Sequence, residues 1–146
     1  MIYTMKFKTI TLKVKERPAP ANASNSKSSF EIANNIYSGL SDDQEHFCVM
    51  FLDSVNNITG FKVLFTGGMN AATVDLKVVF RNALLFGACS IIVVHNHPSN
   101  SLIASKEDIQ ITQEIKQAGK LLGIRLLDHI ILTNNSYLSM ADEAMI

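Results

Sequence analysis

The sequence predicts an α/β (α+β) fold in which one mixed β-sheet is flanked by helices. Short apolar runs rich in β-branched residues alternate along the chain with longer stretches whose apolar residues recur at helical spacing. Polar segments rich in Asn, Asp and Gly separate these runs and mark turns. The 146 residues, 47% of them hydrophobic, are enough for one domain with a sizeable core.

The first 42 residues are predicted to form a strand, a linker and a helix, ahead of a domain at residues 43–146. Residues 5–15 alternate apolar side chains with Lys or Thr, which indicates a strand, and residues 16–27 are rich in Pro, Ala, Ser and Asn. Ser28 and Glu31 fit a capping box, and apolar residues follow at helical spacing as far as Leu40.

The domain itself is predicted to contain five strands and two helices. Gly87 and Gly123 supply stop signals for the two helices. The predicted strands cover residues 47–52, 61–66, 91–97, 124–133 and 136–140, and the predicted helices cover residues 73–86 and 105–121.

The apolar strand that begins at residue 91 ends in a His-Asn-His-Pro sequence. Residues two apart on a strand point to the same face, so His95 and His97 present two imidazoles side by side. Pro98 cannot donate to a sheet ladder and ends the regular pairing. Ser105 opens the next helix, and Asp108 lies one turn into it. Two histidines and one carboxylate are ligands that zinc takes in catalytic sites, with the fourth position left to water.

Two further residues complete the chemistry that such a site requires. Glu45 stands just before a strand, where its carboxylate could act as the general base for a water activated by the metal. Ser105 could offer its hydroxyl to a developing oxyanion. The alternative for Ser105 and Asp108 is a plain helix cap, and one pair of residues can serve both purposes.

Three other polar or reactive groups have structural interpretations. His46 precedes a strand without a partner pattern, so we expect a surface role. Asp128 and His129 interrupt an apolar strand; they form either a structural hydrogen-bonded unit or a support for the metal site. Cys48 and Cys89 both have apolar neighbours, which predicts core thiols in a reducing compartment.

Charge and hydropathy narrow the range of partners. Lys and Arg together number 13, as do Asp and Glu, and this balance argues against a strongly basic nucleic-acid face. The first 15 residues contain no continuous apolar run, so we expect no signal peptide and no membrane partner. We therefore expect the protein to be cytoplasmic. Exposed sheet edges could support a homodimer.

The order Glu45, His95-x-His97-Pro98, Ser105-x-x-Asp108 resembles the JAMM motif of MPN (JAB) domain metalloproteins. The similarity to the RadC branch is closer and covers about residues 43–144. It rests on Glu45-His46-Phe47, His-Asn-His-Pro-Ser at residues 95–99, Ser-Lys-Glu-Asp-Ile at 105–109, Leu-Leu-Gly-Ile at 121–124 and Leu-Asp-His-Ile-Ile at 127–131.

This resemblance implies a cytidine-deaminase-like fold and a Zn²⁺ site with His95, His97 and Asp108 as ligands. It assigns Glu45 the role of catalytic acid and base and Ser105 that of a transition-state helper. Four features depart from the RadC pattern. The first 42 residues show no helix-hairpin-helix pattern, and Leu-Lys-Val at residues 76–78 stands where the branch has Pro-Arg-Glu. Asn100 and Ala144 each stand where the branch has Gly.

Three functions follow as hypotheses. The first is a zinc-dependent metallopeptidase or isopeptidase that acts on a protein or peptide. The second is a DNA-repair or mobile-element accessory module, with a structural metal site, that binds DNA or a partner protein. In the third, the protein is a scaffold in which the metal only holds the loop after His97.

Overall fold

The computed structural model describes residues 21–68 and 73–146. The predicted strand over residues 5–15 lies outside this part of the chain. Within the described residues, five strands and three helices follow one another in mixed order, as the sequence predicts for an α/β fold. They are α1 (Ser26–Tyr37), β1 (His46–Leu52), β2 (Ile58–Thr66), α2 (Leu76–Leu85), β3 (Ser90–Asn96), α3 (Lys106–Leu122), β4 (Arg125–Leu132) and β5 (Tyr137–Ser139).

The strands form one mixed sheet in the order β2-β1-β3-β4-β5. Strands β1 and β2 are antiparallel, as are β1 and β3, whereas β3 and β4 are parallel and are connected through α3. The three central strands are the most buried, and every residue of β1 is buried. This burial on both faces explains why β1 and β3 read as continuous apolar runs.

The side chains that alternate along the central strands build two cores, one on each face of the sheet. Phe47, Val49 and Val93 pack on one face with residues of α2 and α3. Met50 and Val94 pack on the other face with residues of α1. His95 follows Val93 by two residues and therefore faces the α2–α3 side, whereas Asn96 faces the α1 side.

The pairing between β3 and β4 contains a one-residue irregularity. Ile91 pairs with Leu126, but Ile92 pairs with Asp128, so Leu127 is the extra residue. A shift of one residue moves the following side chains to the opposite face of a sheet. As a result His129 pairs with Val93, and its side chain lies on the same face as that of His95.

The helix ends largely follow the predicted signals. Gly123 adopts a left-handed conformation with φ 69° and caps α3, and Gly87, with φ 61°, follows Phe86, the C-cap of α2. The predicted capping box of Ser28 and Glu31 is wrong, because α1 begins earlier. The Asn25 side chain accepts from the Ser28 amide at 2.9 Å, and Ser28 is the third helical residue.

The prediction that both cysteines are core thiols holds for Cys48 but is wrong for Cys89. Cys48 is fully buried in β1, and burial raises the pKa of its thiol to about 12. Cys89 is exposed. Its amide donates to the Leu52 carbonyl and its carbonyl accepts from the Arg125 amide. The backbone of Cys89 is thus bonded to two neighbouring segments while its side chain faces solvent, despite its apolar sequence neighbours.

Among the residues that the structure describes, no helix is both long and apolar enough to cross a bilayer. The division of the chain at residue 42 and the cytoplasmic location stay predictions.

Candidate metal centre

Three of the predicted site residues come together where β3 ends and α3 begins. The Nε2 atoms of His95 and His97 lie 2.8 Å apart. Asp108 Oδ1 lies 3.2 Å from His95 Nε2, and Asp108 Oδ2 lies 3.4 Å from His97 Nε2. One ligand atom from each of the three residues falls within 4.8 Å of the others, and the group can hold a metal ion.

The position of each histidine is set by its place in or beside β3, and that of His97 also by a contact of its Nδ1 atom. His95 is the penultimate residue of β3 and is 1% exposed. His97 lies just beyond the strand, where its amide donates to the Leu132 carbonyl at 2.8 Å. Its Nδ1 lies 2.7 Å from the carbonyl oxygen of Ser101. A carbonyl only accepts, so His97 Nδ1 carries a proton and a neutral ring directs its Nε2 lone pair at the centre of the group.

Asp108 combines a helix-capping role with its place in the cluster. Ser105 is the N-cap of α3, and its Oγ accepts from the Asp108 amide at 3.0 Å. Asp108 Oδ2 in turn accepts from the Ser105 amide at 2.8 Å. The capping alternative is therefore present in the structure, and it fixes the carboxylate that faces the two histidines.

Glu45 lies immediately before β1, half-buried, and its charge acts on His97. The side chain of Asn96 holds the two residues on either side of Glu45. Asn96 Oδ1 accepts from the His46 amide at 2.7 Å, and Asn96 Nδ2 donates to the Gln44 carbonyl at 2.8 Å. Asn96 thus ties the segment that carries Glu45 to the strand that carries the histidines, a role that the sequence analysis did not assign.

His46 is buried, so the surface role predicted for it is wrong. Its Nδ1 lies 2.9 Å from the hydroxyl of Thr66, and its Nε2 lies 2.9 Å from the carbonyl of Ser41. The backbone carbonyl of His46 accepts from the hydroxyl of Tyr37 at 2.6 Å. The loop after α1 folds over the ring and gives it a structural role at the start of β1.

Of the two roles predicted for the adjacent residues Asp128 and His129, a structural hydrogen-bonded unit or a support for the metal site, each residue takes one. Asp128 accepts hydrogen bonds from the His129 amide, the Ala141 amide and the Ser139 hydroxyl, and it joins β4 to the C-terminal turn. His129 instead reaches the candidate metal centre, where its Nε2 lies 2.7 Å from His95 Nδ1. Asp128 is therefore structural, whereas His129 supports a proposed ligand.

The charges of the group are strongly coupled. Burial opposes ionisation of Asp108, but hydrogen bonds with His95 and His97 outweigh it and hold the pKa of its carboxyl far below the usual value. The hydrogen bond to Asp108 raises the pKa of His97, against the effect of burial. Burial lowers the pKa of His129 well below the usual value, so this ring is neutral.

The chemistry of these donors fits a divalent metal ion. Two imidazole nitrogens and one carboxylate are a ligand set that catalytic zinc accepts. Without a metal, a proton on one Nε2 must relieve the repulsion between two facing lone pairs, and a metal ion would displace that proton. The metal that this group would bind, and the roles of Glu45 and Ser105, stay predictions.

Comparisons with known proteins agree with these observations. The family described as "RadC-like JAB domain" matches residues 23–145. A UPF0758 protein of Methanosarcina acetivorans is 43% identical over 103 residues, which cover 70% of this chain and 45% of that protein. A UPF0758 protein of Carboxydothermus hydrogenoformans is 44% identical over 102 residues, again covering 70% and 45%.

A third relative, a UPF0758 protein of Methanococcoides burtonii, is 39% identical over 119 residues, or 78% of this chain and 52% of the relative. The chain spans about half the length of the curated relatives that it matches. The match of the family to nearly the whole described chain, together with a mixed five-stranded sheet flanked by helices, shows that the chain belongs to the RadC-like JAB domain family.

Proposed function

We propose that the protein is a zinc-dependent hydrolase, a metallopeptidase or isopeptidase that cleaves an amide bond in a protein or peptide. The observation that carries the proposal is the convergence of His95, His97 and Asp108 within 4.8 Å. Glu45 supports it, because an acid beside this group supplies the base that amide hydrolysis requires.

His95, His97 and Asp108 would hold the metal, and Glu45 and Ser105 would handle the proton and the developing charge. A bound zinc ion would lower the pKa of the attacking water and polarise the carbonyl of the substrate. Glu45 would take the proton of the attacking water and return it to the leaving amine. Ser105 Oγ uses a lone pair for the helix cap, so its proton remains a donor for the oxyanion.

The metal is tested first, on protein purified without a polyhistidine tag. We expect one zinc per chain by mass spectrometry, and its loss from a variant that combines His95→Ala with His97→Ala. Failure of the wild-type protein to take up zinc from excess metal would overturn the proposal.

The catalytic role of Glu45 is tested in the zinc-loaded protein against a panel of peptides and isopeptides. Glu45→Gln should keep the fold and the zinc but lower kcat at least 100-fold, since general acid–base catalysis contributes about 10²- to 10⁴-fold. Asp43→Asn removes a nearby exposed carboxylate and should leave kcat unchanged. Equal kcat values for Glu45→Gln and the wild-type protein would contradict the proposed base and favour the scaffold hypothesis.

A second candidate function is binding of nucleic acid, and one observation favours it. Lys116, Lys120 and Arg125 line a cleft at the end of α3 that lies away from the metal centre. Three cations on one surface could contact phosphates despite the neutral overall charge. A gel shift at low salt that is lost when Lys116 and Lys120 are both changed to Glu would support this role, and no shift at low salt would exclude direct DNA contact.

A further inference from the structure

A buried line of hydrogen bonds runs from His95 away from the metal centre into the core. His95 Nδ1 lies 2.7 Å from His129 Nε2. His129 Nδ1 lies 2.6 Å from the Thr112 hydroxyl, which in turn donates to the carbonyl oxygen of Asp108. His95 is 1% exposed, and His129 and Thr112 are 0% exposed. This line of hydrogen bonds therefore connects β3, β4 and α3 behind the candidate metal centre without contact with solvent.

The acceptor at its end sets the direction of the hydrogen bonds in the line. The Thr112 hydroxyl lies 2.5 Å from the backbone carbonyl oxygen of Asp108 and 3.5 Å from Met140 Sδ, a weak acceptor, so it donates to the carbonyl. Its oxygen then accepts from His129 Nδ1–H. A neutral His129 then offers the lone pair of Nε2 to His95 Nδ1–H. His95 is left with its Nε2 lone pair facing His97 and Asp108, the arrangement that a metal ligand needs.

We infer that His129 and Thr112 are positioning residues that hold His95 in its metal-binding tautomer, so that the metal affinity of this chain depends on two side chains outside the ligand set. The inference deepens the proposed metal site and does not require hydrolytic activity. The same line also anchors Asp108 through its carbonyl, whereas His97 has its own anchor in the Ser101 carbonyl. Loss of the line should therefore affect two of the three ligands.

Thr112 offers a near-isosteric test. Thr112→Val keeps the shape of the side chain but removes the hydroxyl, so His129 can place its proton on Nε2 and force His95 to accept at Nδ1. His95 Nε2 then carries a proton where the metal should bind. Support of this kind behind a ligand is worth about 10- to 100-fold in metal affinity. Thr112→Ser keeps the hydroxyl and is the matched control.

The experiment is a competition for Zn²⁺ between the full chain and a chromogenic chelator at fixed pH, after urea unfolding has shown that each variant is folded. We expect Thr112→Val to raise the Kd by about 10- to 100-fold and Thr112→Ser to stay close to the wild-type protein. A folded Thr112→Val variant with the wild-type Kd would overturn the inference.

Nitrogen-detected NMR of the histidine rings in the metal-free wild-type protein gives a second readout that needs neither a variant nor a metal. The inference requires a proton on His95 Nδ1 and none on His129 Nε2. A His95 ring with its proton only on Nε2 would refute it, even if zinc binds. Correct tautomers in a protein that takes up no zinc would contradict the proposed function and leave the line of hydrogen bonds established.

Discussion

Asp128 should be one of the most sensitive polar positions in the protein, although it touches no proposed ligand. The residue is 6% exposed, and its carboxylate accepts three hydrogen bonds, from the His129 amide at 2.7 Å, the Ser139 hydroxyl at 2.6 Å and the Ala141 amide at 3.0 Å. Asp128→Ala removes the acceptor and leaves all three donors behind. Since a buried donor without a partner costs about 1–3 kcal/mol, the change should be strongly destabilising.

The magnitude follows from the surroundings of each donor. His129 is fully buried, so its amide bears the full cost of about 2–3 kcal/mol. The hydroxyl of Ser139 can rotate, and Ala141 is exposed to water, so these two donors together add about 1–2 kcal/mol. Burial raises the pKa of Asp128, and removal of this poorly solvated charge recovers part of the loss. We expect a net decrease of about 2–4 kcal/mol in the free energy of unfolding.

Asp128→Asn separates the hydrogen bonds from the charge. The amide oxygen can still accept from both backbone donors, and the amide nitrogen can donate to the Ser139 hydroxyl. Because the folded state raises the pKa of Asp128, it holds more protons than the unfolded state just above the usual carboxyl pKa. The contribution of this group to stability therefore falls as pH rises through that window, and Asp128→Asn should remove this fall.

Urea unfolding followed by circular dichroism measures these differences, and Asp142→Ala, which removes an exposed carboxylate nearby, is the control. We expect the control to stay within about 0.5 kcal/mol of the wild-type protein. If Asp128→Ala matched this control, the structural role assigned to Asp128 would be refuted.

Two further predictions concern the core and the cysteines. Gly119→Ala would place a methyl group in steric conflict with the Ile124 carbonyl oxygen and should lower the free energy of unfolding by about 1–3 kcal/mol. Gly39→Ala, whose added methyl group would meet its nearest neighbour at 3.8 Å, is the control, and equal stabilities of the two variants would contradict the packing of α3. The buried Cys48 thiol, with its pKa raised to about 12, should not react with Ellman's reagent at pH 8, so native protein should release one equivalent, from Cys89, and denatured protein two. Two equivalents from native protein would show that Cys48 is accessible.

The sequence was most informative where local spacing decides geometry. His95 and His97 are two apart on one strand, and Asp108 follows a cap residue by three, so their gathering could be predicted from strand and helix periods alone. Thr112 carried a usable signal as well, since it lies one turn beyond Asp108 on the same face of a helix. The spacing alone does not identify a partner for the Thr112 hydroxyl, because His129 comes from a different strand and contacts Thr112 only in the folded chain.

The roles of His129, Asp128 and His46 depend on contacts between segments that are distant in the sequence. His129 faces the metal centre only because Leu127 is an extra residue in the pairing of β4 with β3. With regular pairing, Asp128 would take that place opposite Val93. Nothing in the local sequence marks such an irregularity, so the pair could not be divided into a structural and a supporting residue. The surface role predicted for His46 is wrong for a similar reason, because its ring packs between Thr66 of β2 and the loop after α1.

The positions of the candidate residues along the chain have a consequence for how the proposed activity should be tested. All three proposed ligands lie between residues 95 and 108, from the end of β3 to the first turn of α3, whereas Glu45 precedes β1, far earlier in the chain. Under the proposed function, a change at Glu45 would abolish turnover and leave the ligands in place. Zinc content and the proposed hydrolysis would then be separate properties, and zinc binding would not by itself establish activity.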